Sequence, residues 1–291
     1  MTKKNPGTKR TDKNKLSTSL ELTPTQIASF RKRVLTYYRR NGRDLPWRAT
    51  TDPYRILVSE IMLQQTQVDR VIPKYEAFIA RFPDAATLAA ASLKEILVLW
   101  QGLGYNRRAK NLHNCARIVT DERGGTMPDT REALQTLPGI GPYTSAAISV
   151  FAYNQPCVFI ETNIRAVYIH TFFSDTGTVS EAQLEPYIEA TLSKRSPCRW
   201  YNALMDYGAY IKKQHGNPAR KSKHHTIQSR FEGSDRQVRG MIIKILGSTE
   251  TVGTRALINQ IGKDPKRLQG IINQLVQEGM VKQQRTQLSL P

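Results

Sequence analysis

The string Leu137-Pro138-Gly139-Ile140-Gly141-Pro142-Tyr143-Thr144-Ser145-Ala146-Ala147 constrains this chain more than any other. Two glycines around one apolar residue allow a tight reversal, because glycine accepts positive φ and lets another backbone approach closely. Pro142 fits the first turn of a helix, which continues through small residues from Tyr143 to Phe151. The expected product is a helix–hairpin–helix whose second helix leaves its N-terminal N–H groups exposed, a backbone site for an anion. A plain helix–helix turn that binds nothing has the same local pattern, and the net charge weighs against it. Lys and Arg number 43 against 24 Asp and Glu, a formal +19. That excess suits a polyanionic partner, and such a hairpin grips DNA phosphates without reading sequence. Leu137, Gly139, Ile140, Gly141, Tyr143 and Thr144 are its expected DNA contacts.

Regular structure is expected to start at Thr23-Pro24, with Thr23 as cap and Pro24 in the first turn. Ile27, Phe30, Val34, Tyr37 and Tyr38 recur at helical spacing as far as Asn41-Gly42. Successive helices follow to about Lys213, among them Ser59 to Arg70, Leu93 to Leu99 and Arg108 to Thr120, with no sustained two-residue alternation. The fold class is therefore all-α. His215-Gly216-Asn217-Pro218 breaks the pattern, and a basic run, Arg220-Lys221-Ser222-Lys223-His224-His225, reads as a linker lying on phosphates. Arg220, Lys221 and Lys223 are its expected contacts. Beyond it, Val238 to Leu246, Thr254 to Ile261 and Pro265 to Gly279 are helical, and two short extended pieces close the chain. Three helices and a hairpin describe a winged-helix module, although three short helices are also a common packing unit. The expected division is a disordered basic tail over 1–22, the main helical domain over 23–213, a basic linker over 214–234 and a winged-helix-like DNA-binding module over 235–291.

Cys115, Cys157 and Cys198 are far apart and odd in number, which offers neither a CxxC metal knuckle nor a disulfide framework. No apolar run is long enough to span a bilayer, and the basic N-terminal stretch lacks the apolar core of a secretory signal. The expectation is a soluble monomer without a metal site, in the cytoplasm at the nucleoid, or in the nucleus of a eukaryote.

The hairpin string resembles that of the helix-hairpin-helix DNA glycosylases, a two-lobed fold. Leu45-Pro46-Trp47-Arg48, Asp52-Pro53-Tyr54 and Val58-Ser59-Glu60-Ile61-Met62-Leu63-Gln64-Gln65-Thr66-Gln67-Val68 are similar to the branch that removes adenine from A/G mismatches. So are Trp100-Gln101-Gly102-Leu103-Gly104-Tyr105 and Arg108-Ala109-Lys110-Asn111-Leu112. The likeness runs over residues 25 to 210, and its Ser-Glu-Ile-Met-Leu-Gln-Gln-Thr string is specific to that branch. It implies base excision repair on duplex DNA carrying a damaged or mispaired base, with Arg48 and Thr66 at the DNA.

Releasing a base from deoxyribose requires a proton for the departing base and a negative group beside the oxocarbenium-like sugar. Glu60 sits in an apolar helix, where desolvation would keep a proton on it. By pattern alone a single Glu on an amphipathic helix is usually a solvated residue; the resemblance makes it the acid. Glu161, about twenty residues after the hairpin, matches the family's catalytic carboxylate, which is normally Asp. Helix capping by Thr162 or Asn163 is the plainer account of that segment. Asn163 matches the family's polar partner and would hold the carboxylate or a water. Tyr143 stands where bifunctional relatives such as endonuclease III carry a Schiff-base lysine, so hydrolysis without strand cleavage is implied. Gln65 matches the side chain that wedges into the stack during base flipping, against a buried helix glutamine on pattern alone.

Two departures bear on function. Most relatives of this type bind an iron–sulfur cluster through four cysteines after the last helix of the main body. Here Lys212 takes the first position and no cysteine follows, so no cluster and no other cofactor is expected. The C-terminal domain that recognises 8-oxoguanine in such enzymes is also replaced by the winged-helix-like segment. A monofunctional glycosylase for mispaired adenine is the leading expectation. A glycosylase for uracil, hypoxanthine or mismatched thymine, and a non-catalytic lesion-binding protein, are the alternatives.

Overall fold

Thr23 opens the first helix with a capping box. Its backbone N–H donates to Gln26 Oε1 (2.8 Å), and its hydroxyl accepts from the Gln26 N–H (3.3 Å). The computed structural model describes residues 22–227 and 230–291. The tail expected over 1–22 thus lies, except for Leu22, outside the described residues.

The helices run as α1 (Pro24–Asn41), α2 (Pro53–Leu63), α3 (Val68–Arg81), α4 (Ala85–Ala90), α5 (Leu93–Trp100), α6 (Arg107–Glu122), α7 (Arg131–Gln135), α8 (Pro142–Phe151), α9 (Thr162–Phe172), α10 (Glu181–Thr191) and α11 (Pro197–His215). Their apolar faces close two separate cores. In lobe one, α2 to α7 bury Ile56, Leu57, Phe78, Leu97, Trp100 and Leu112. In lobe two, α1 and α9 to α11 gather around Phe30, Tyr168, Ile188, Trp200 and Leu204. Helix α8 joins them, with Ile148 in the first core and Ala146, Ala147 and Val150 in the second. The two-lobed all-helical expectation for the main body therefore holds.

One expected helix does not form as read. Ser59 to Arg70 is broken at Leu63, and α3 begins only at Val68. The cause is a cation from another helix. The Arg108 guanidinium donates to Ile61 O (2.7 Å), Met62 O (3.0 Å), Gln64 O (2.6 Å) and Thr66 Oγ1 (3.2 Å), and to Leu103 O and Gly104 O (both 3.1 Å). It satisfies carbonyls that the end of α2 leaves open and so stabilises the reversal at Gln65, whose φ is 56°. Burial pushes the Arg108 pKa down to about 10, which leaves it charged at neutral pH.

The C-terminal helices α12 (Asp235–Gly247), α13 (Thr254–Ile261) and α14 (Pro265–Gln277) pack with three short strands, β1 (Val252–Gly253), β2 (Lys282–Gln284) and β3 (Gln287–Ser289). The sheet order is β1-β3-β2, antiparallel, with Leu288 opposite Val252 and Gln283. This is a winged-helix arrangement. Strand β1 escaped the sequence reading because two residues cannot show alternation. Val238, Ile242 and Leu246 join the lobe-one core, and the Lys94 N–H at the start of α5 donates to Pro291 O (3.0 Å). The stretch expected as a linker is docked in its first half. Pro218–Lys221 forms a 3-10 turn with Ala219 buried, and Ser222 bridges Val179 beside lobe two.

Replacing Arg108 by Met leaves several half-buried carbonyls without a partner. We expect a loss of about 3 kcal/mol or more, read as a lower urea midpoint at unchanged slope. Arg108→Lys should recover little, because a point charge cannot fork between the two loops.

Candidate active site

Helix α2 is apolar on nearly every face, and this is what buries Glu60. The residue is only 6% exposed, on the same face of α2 as Ile56 and Leu63. The Tyr143 hydroxyl donates to Glu60 Oε2 (3.2 Å). Desolvation pushes the Glu60 pKa up to about 7; the Tyr143 bond pulls it down and the charge of Glu161 adds to the rise. Tyr143, on the first turn of α8, is held edge-on against Phe159 (centroids 5.6 Å apart), and Phe159 stacks on Tyr201 (4.1 Å). Burial, then the two carboxylates, drive the tyrosine pKa well above its ordinary value, so the hydroxyl stays a donor.

Glu161 faces the same cleft from lobe two. It is the N-cap of α9: Oε1 accepts from the Asn163 N–H (2.7 Å) and the Ile164 N–H (2.9 Å), and Oε2 from Asn163 Nδ2 (3.3 Å). The cap is therefore Glu161 itself, not Thr162 or Asn163. A carboxylate at a helix N-terminus is favoured by the amides and by the helix dipole. Asn163 Oδ1 is buried and makes no hydrogen bond to the protein. Gly208 of α11 makes this corner possible, since a Cβ there would stand 2.3 Å from Asn163 O.

The two carboxylates, Tyr143 and Asn163 line one cleft of about 650 Å³ between the lobes, with Gln64, Gln65, Thr66, Arg43 and Lys212. Gln65 is exposed in the loop between α2 and α3, not in a helix, so the buried-glutamine alternative is excluded. The hairpin lies beside the cleft. Gly139 has φ 81°, and a Cβ there would meet Asn111 at 2.8 Å. Leu137 and Ile140 are 3% and 5% exposed, so they anchor the turn in lobe one and only its backbone faces outward. Gly139 and Gly141 are exposed.

Several expected DNA contacts have other partners. The Arg48 guanidinium donates to Asp206 Oδ1 (2.8 Å) and Oδ2 (2.9 Å), and its side chain is 10% exposed. Arg43 binds the same carboxylate, and together they hold the segment after α1 against α11. Burial favours protonation of Asp206, but the two arginines outweigh it and its pKa is lowered. Thr144 is buried and its hydroxyl accepts from Gln64 Nε2 (3.4 Å). The Thr66 hydroxyl lies between Arg108 and the carbonyls of Gln64 and Leu103. Arg220, Lys221 and Lys223 are exposed but outside the cleft, and Lys221 Nζ donates to Ser174 O (2.5 Å).

Lys212 was missed as a cleft residue. No local pattern marks it, because it reaches the cleft only where α11 closes on Asn163 at Gly208, one turn before it on the same face. Burial lowers its pKa, while Glu161 raises it. Cys115 lies in lobe one and Cys157 and Cys198 in lobe two, and among the described residues no three or more His, Cys, Asp or Glu converge as a metal site. This donor set does not fit a cysteine-ligated cluster. Among the described residues no helix is long and apolar enough to cross a membrane.

Residues 58–190 match the HhH-GPD superfamily of base excision DNA repair proteins. The adenine DNA glycosylase of Mycolicibacterium smegmatis is 34% identical over 270 residues, covering 86% of this chain and 92% of that protein. The chain belongs to this DNA glycosylase superfamily. The human adenine DNA glycosylase is 36% identical over 198 residues, 64% of this chain and 36% of that one. Among solved structures, a thermostable thymine-DNA glycosylase superposes with a TM-score of 0.61 at 28% identity, covering 67% of this chain and 91% of that one. An endonuclease III–DNA complex shares the fold, with a TM-score of 0.57 at 18% identity over 67% of this chain and 90% of that one.

The buried Glu60 has a cost that pH exposes. Below pH 4.5 the residue is protonated in both states; above about pH 7 the folded protein must hold a charge that the unfolded chain ionises freely. Glu60→Gln should therefore unfold like the wild type at acid pH and be more stable by about 3 kcal/mol at pH 8 and above. Denaturant melts at both pH values check it, and equal stabilities at pH 8 would refute the desolvated carboxyl.

Proposed function

We propose that this glycosylase excises mispaired adenine from duplex DNA by hydrolysis, working as a monomer. The observation that carries the reading is the pairing, across one interlobe cleft, of a desolvated Glu60 with a hydrogen-bonded Glu161. A single copy supplies both. Glu60 protonates the departing purine as its N-glycosidic bond breaks, and Glu161 stabilises the positive sugar. Water adds to C1′ and gives a proton to Glu161, and the free Oδ1 of Asn163 is an acceptor to orient that water. Gln65, on its left-handed loop, fills the stack from which the nucleotide turns out, while the hairpin amides hold phosphate. The expected domains remain part of this proposal: residues 23–213 do the chemistry, and 214–234 and 235–291 add DNA contacts through Arg220, Lys221, Lys223 and the winged helix.

Purines depend most on the proton from Glu60, and the adenine-specific relatives support that choice of base. Single-turnover release should be measured from adenine opposite guanine or 8-oxoguanine, and from uracil, hypoxanthine and thymine opposite guanine. Adenine should lead. The likeness to a thymine-DNA glycosylase makes thymine the alternative, and its lead would overturn the adenine assignment. Glu60→Gln and Glu161→Gln should each slow release by two to three decades, roughly 3–4 kcal/mol, with duplex binding retained. Full activity in either variant removes that carboxylate from the mechanism.

Tyr143 offers no amine, so the product strand should break only after hot alkali. Borohydride should trap no covalent complex at that position; a strong adduct there would end the monofunctional reading.

A further inference from the structure

The cations that line the interlobe cleft are Arg43, Arg48, Arg165 and Lys212. The three arginines are already neutralised. Arg43 and Arg48 share the Asp206 carboxylate, and Arg165 pairs with Glu181. Lys212 differs from them. It is half-buried, yet among the described residues its ammonium has no hydrogen-bond or ion-pair partner. Taking a cation out of water is unfavourable unless an opposite charge offsets it. Of the two carboxyl groups in the cleft, Glu60 favours its neutral form, so Glu161 is the carboxylate that remains to face Lys212.

The backbone brings the two together. Both come from lobe two, where α11 closes on the start of α9: a Cβ at Gly208 would stand 2.3 Å from Asn163 O, and Lys212 follows one turn later on the same face. The Glu161 charge reaches the ammonium and favours its protonated form, against burial and the charge of Arg43. The plain account of a lysine here is compensation of the α11 dipole, since Lys212, Lys213 and His215 all lie in its last turn. Lys213 and His215 are exposed and can fill that role in water, whereas Lys212 lines the cleft. On the other side, Glu161 Oε1 is committed to the α9 amides, while Oε2 has only Asn163 Nδ2 at 3.3 Å. A cation without a partner thus shares one cleft with a carboxylate oxygen that can accept more.

We propose that Lys212 is a positioning residue for base release, its ammonium holding Glu161 ionised and turned into the cleft when the phosphates of a bound duplex make the potential there more negative. This rests on the reading of Glu161 as the group that stabilises the positive sugar. The test uses the full chain and whichever duplex of the panel above releases its base fastest. Lys212→Met keeps most of the stem and removes the charge. It should slow single-turnover release on the order of tenfold, and leave unchanged the Kd for a duplex with a tetrahydrofuran abasic analogue and the salt dependence of that Kd. Lys212→Arg should restore most of the rate. In a Glu161→Gln background no charge is left to hold, so Lys212→Met should slow release no further. Thermal melts check the fold of each variant, and Lys212→Gln takes the place of the methionine if that variant melts early. An unslowed Lys212→Met, an Arg variant no faster than it, or equal slowing in both backgrounds would overturn the proposal. Weaker binding with a salt slope smaller by about one unit would make Lys212 a phosphate contact and overturn it as well. Full activity of Glu161→Gln would overturn the Glu161 reading and the role of Lys212 with it. A slowed Glu161→Gln to which the Lys212→Met loss simply adds would overturn the role of Lys212 alone.

Discussion

The arrangement at the cleft depends on one guanidinium. Arg108 comes from α6 yet ends α2, three residues beyond Glu60, by taking the carbonyls of Ile61, Met62 and Gln64. A helix normally ends against water or a glycine cap, because its last carbonyls need donors. Here a buried cation supplies them, so the chain reverses with no glycine between Leu63 and Val68. Glu60 therefore stays in an apolar wall while Gln65, five residues later, stands in solvent. Since the same group also holds Leu103 and Gly104, the spacing between Glu60, Gln65 and the Tyr105 loop is fixed by one side chain.

The two carboxyl groups differ in what surrounds them. Glu60 is buried on an apolar helix with one phenol to bond, and its neutral form is favoured. Glu161 has two backbone amides and a side-chain amide, all donors, at the positive end of α9. Glutamate in place of the family's aspartate lengthens the side chain by one methylene. The structure absorbs that length by turning the carboxylate back onto its own helix terminus. Oε1 is thereby committed to the cap, and Oε2, with one weaker partner, is the oxygen left to the cleft.

Much of this was legible from local patterns. Helix starts, the glycine turn and the winged-helix order follow from residues close in sequence, whereas Leu137 and Ile140, expected at the DNA, are buried in lobe one. What misled was long-range. Arg48 looks like a DNA contact until Asp206, 158 residues away, is seen to bind it. Thr144 lies next to the hairpin but turns inward to Gln64. The break in Ser59–Arg70 needs Arg108, more than forty residues on, and no periodicity within the segment encodes it. Lys212 was noticed as a substitute for a cysteine, yet its place in the cleft depends on α11 closing on Asn163 at Gly208.

The net charge of +19 is likewise distributed by the fold and not merely spread over it. Several arginines are committed internally: Arg43 and Arg48 to Asp206, Arg108 to carbonyls, Arg107 and Arg239 to Glu278. Burial opposes ionisation of Glu278, but its two arginines outweigh that and lower its pKa, so the clasp stays charged. Together with the Lys94 contacts, its ammonium to Thr249 O (2.9 Å) and its N–H to Pro291 O (3.0 Å), it mounts α12 to α14 on lobe one. A winged helix fixed in this way cannot swing independently of the cleft. Under the proposed function, its basic surface and the hairpin amides would then meet the same duplex in one orientation, as extrusion of a single nucleotide into a site between two lobes requires.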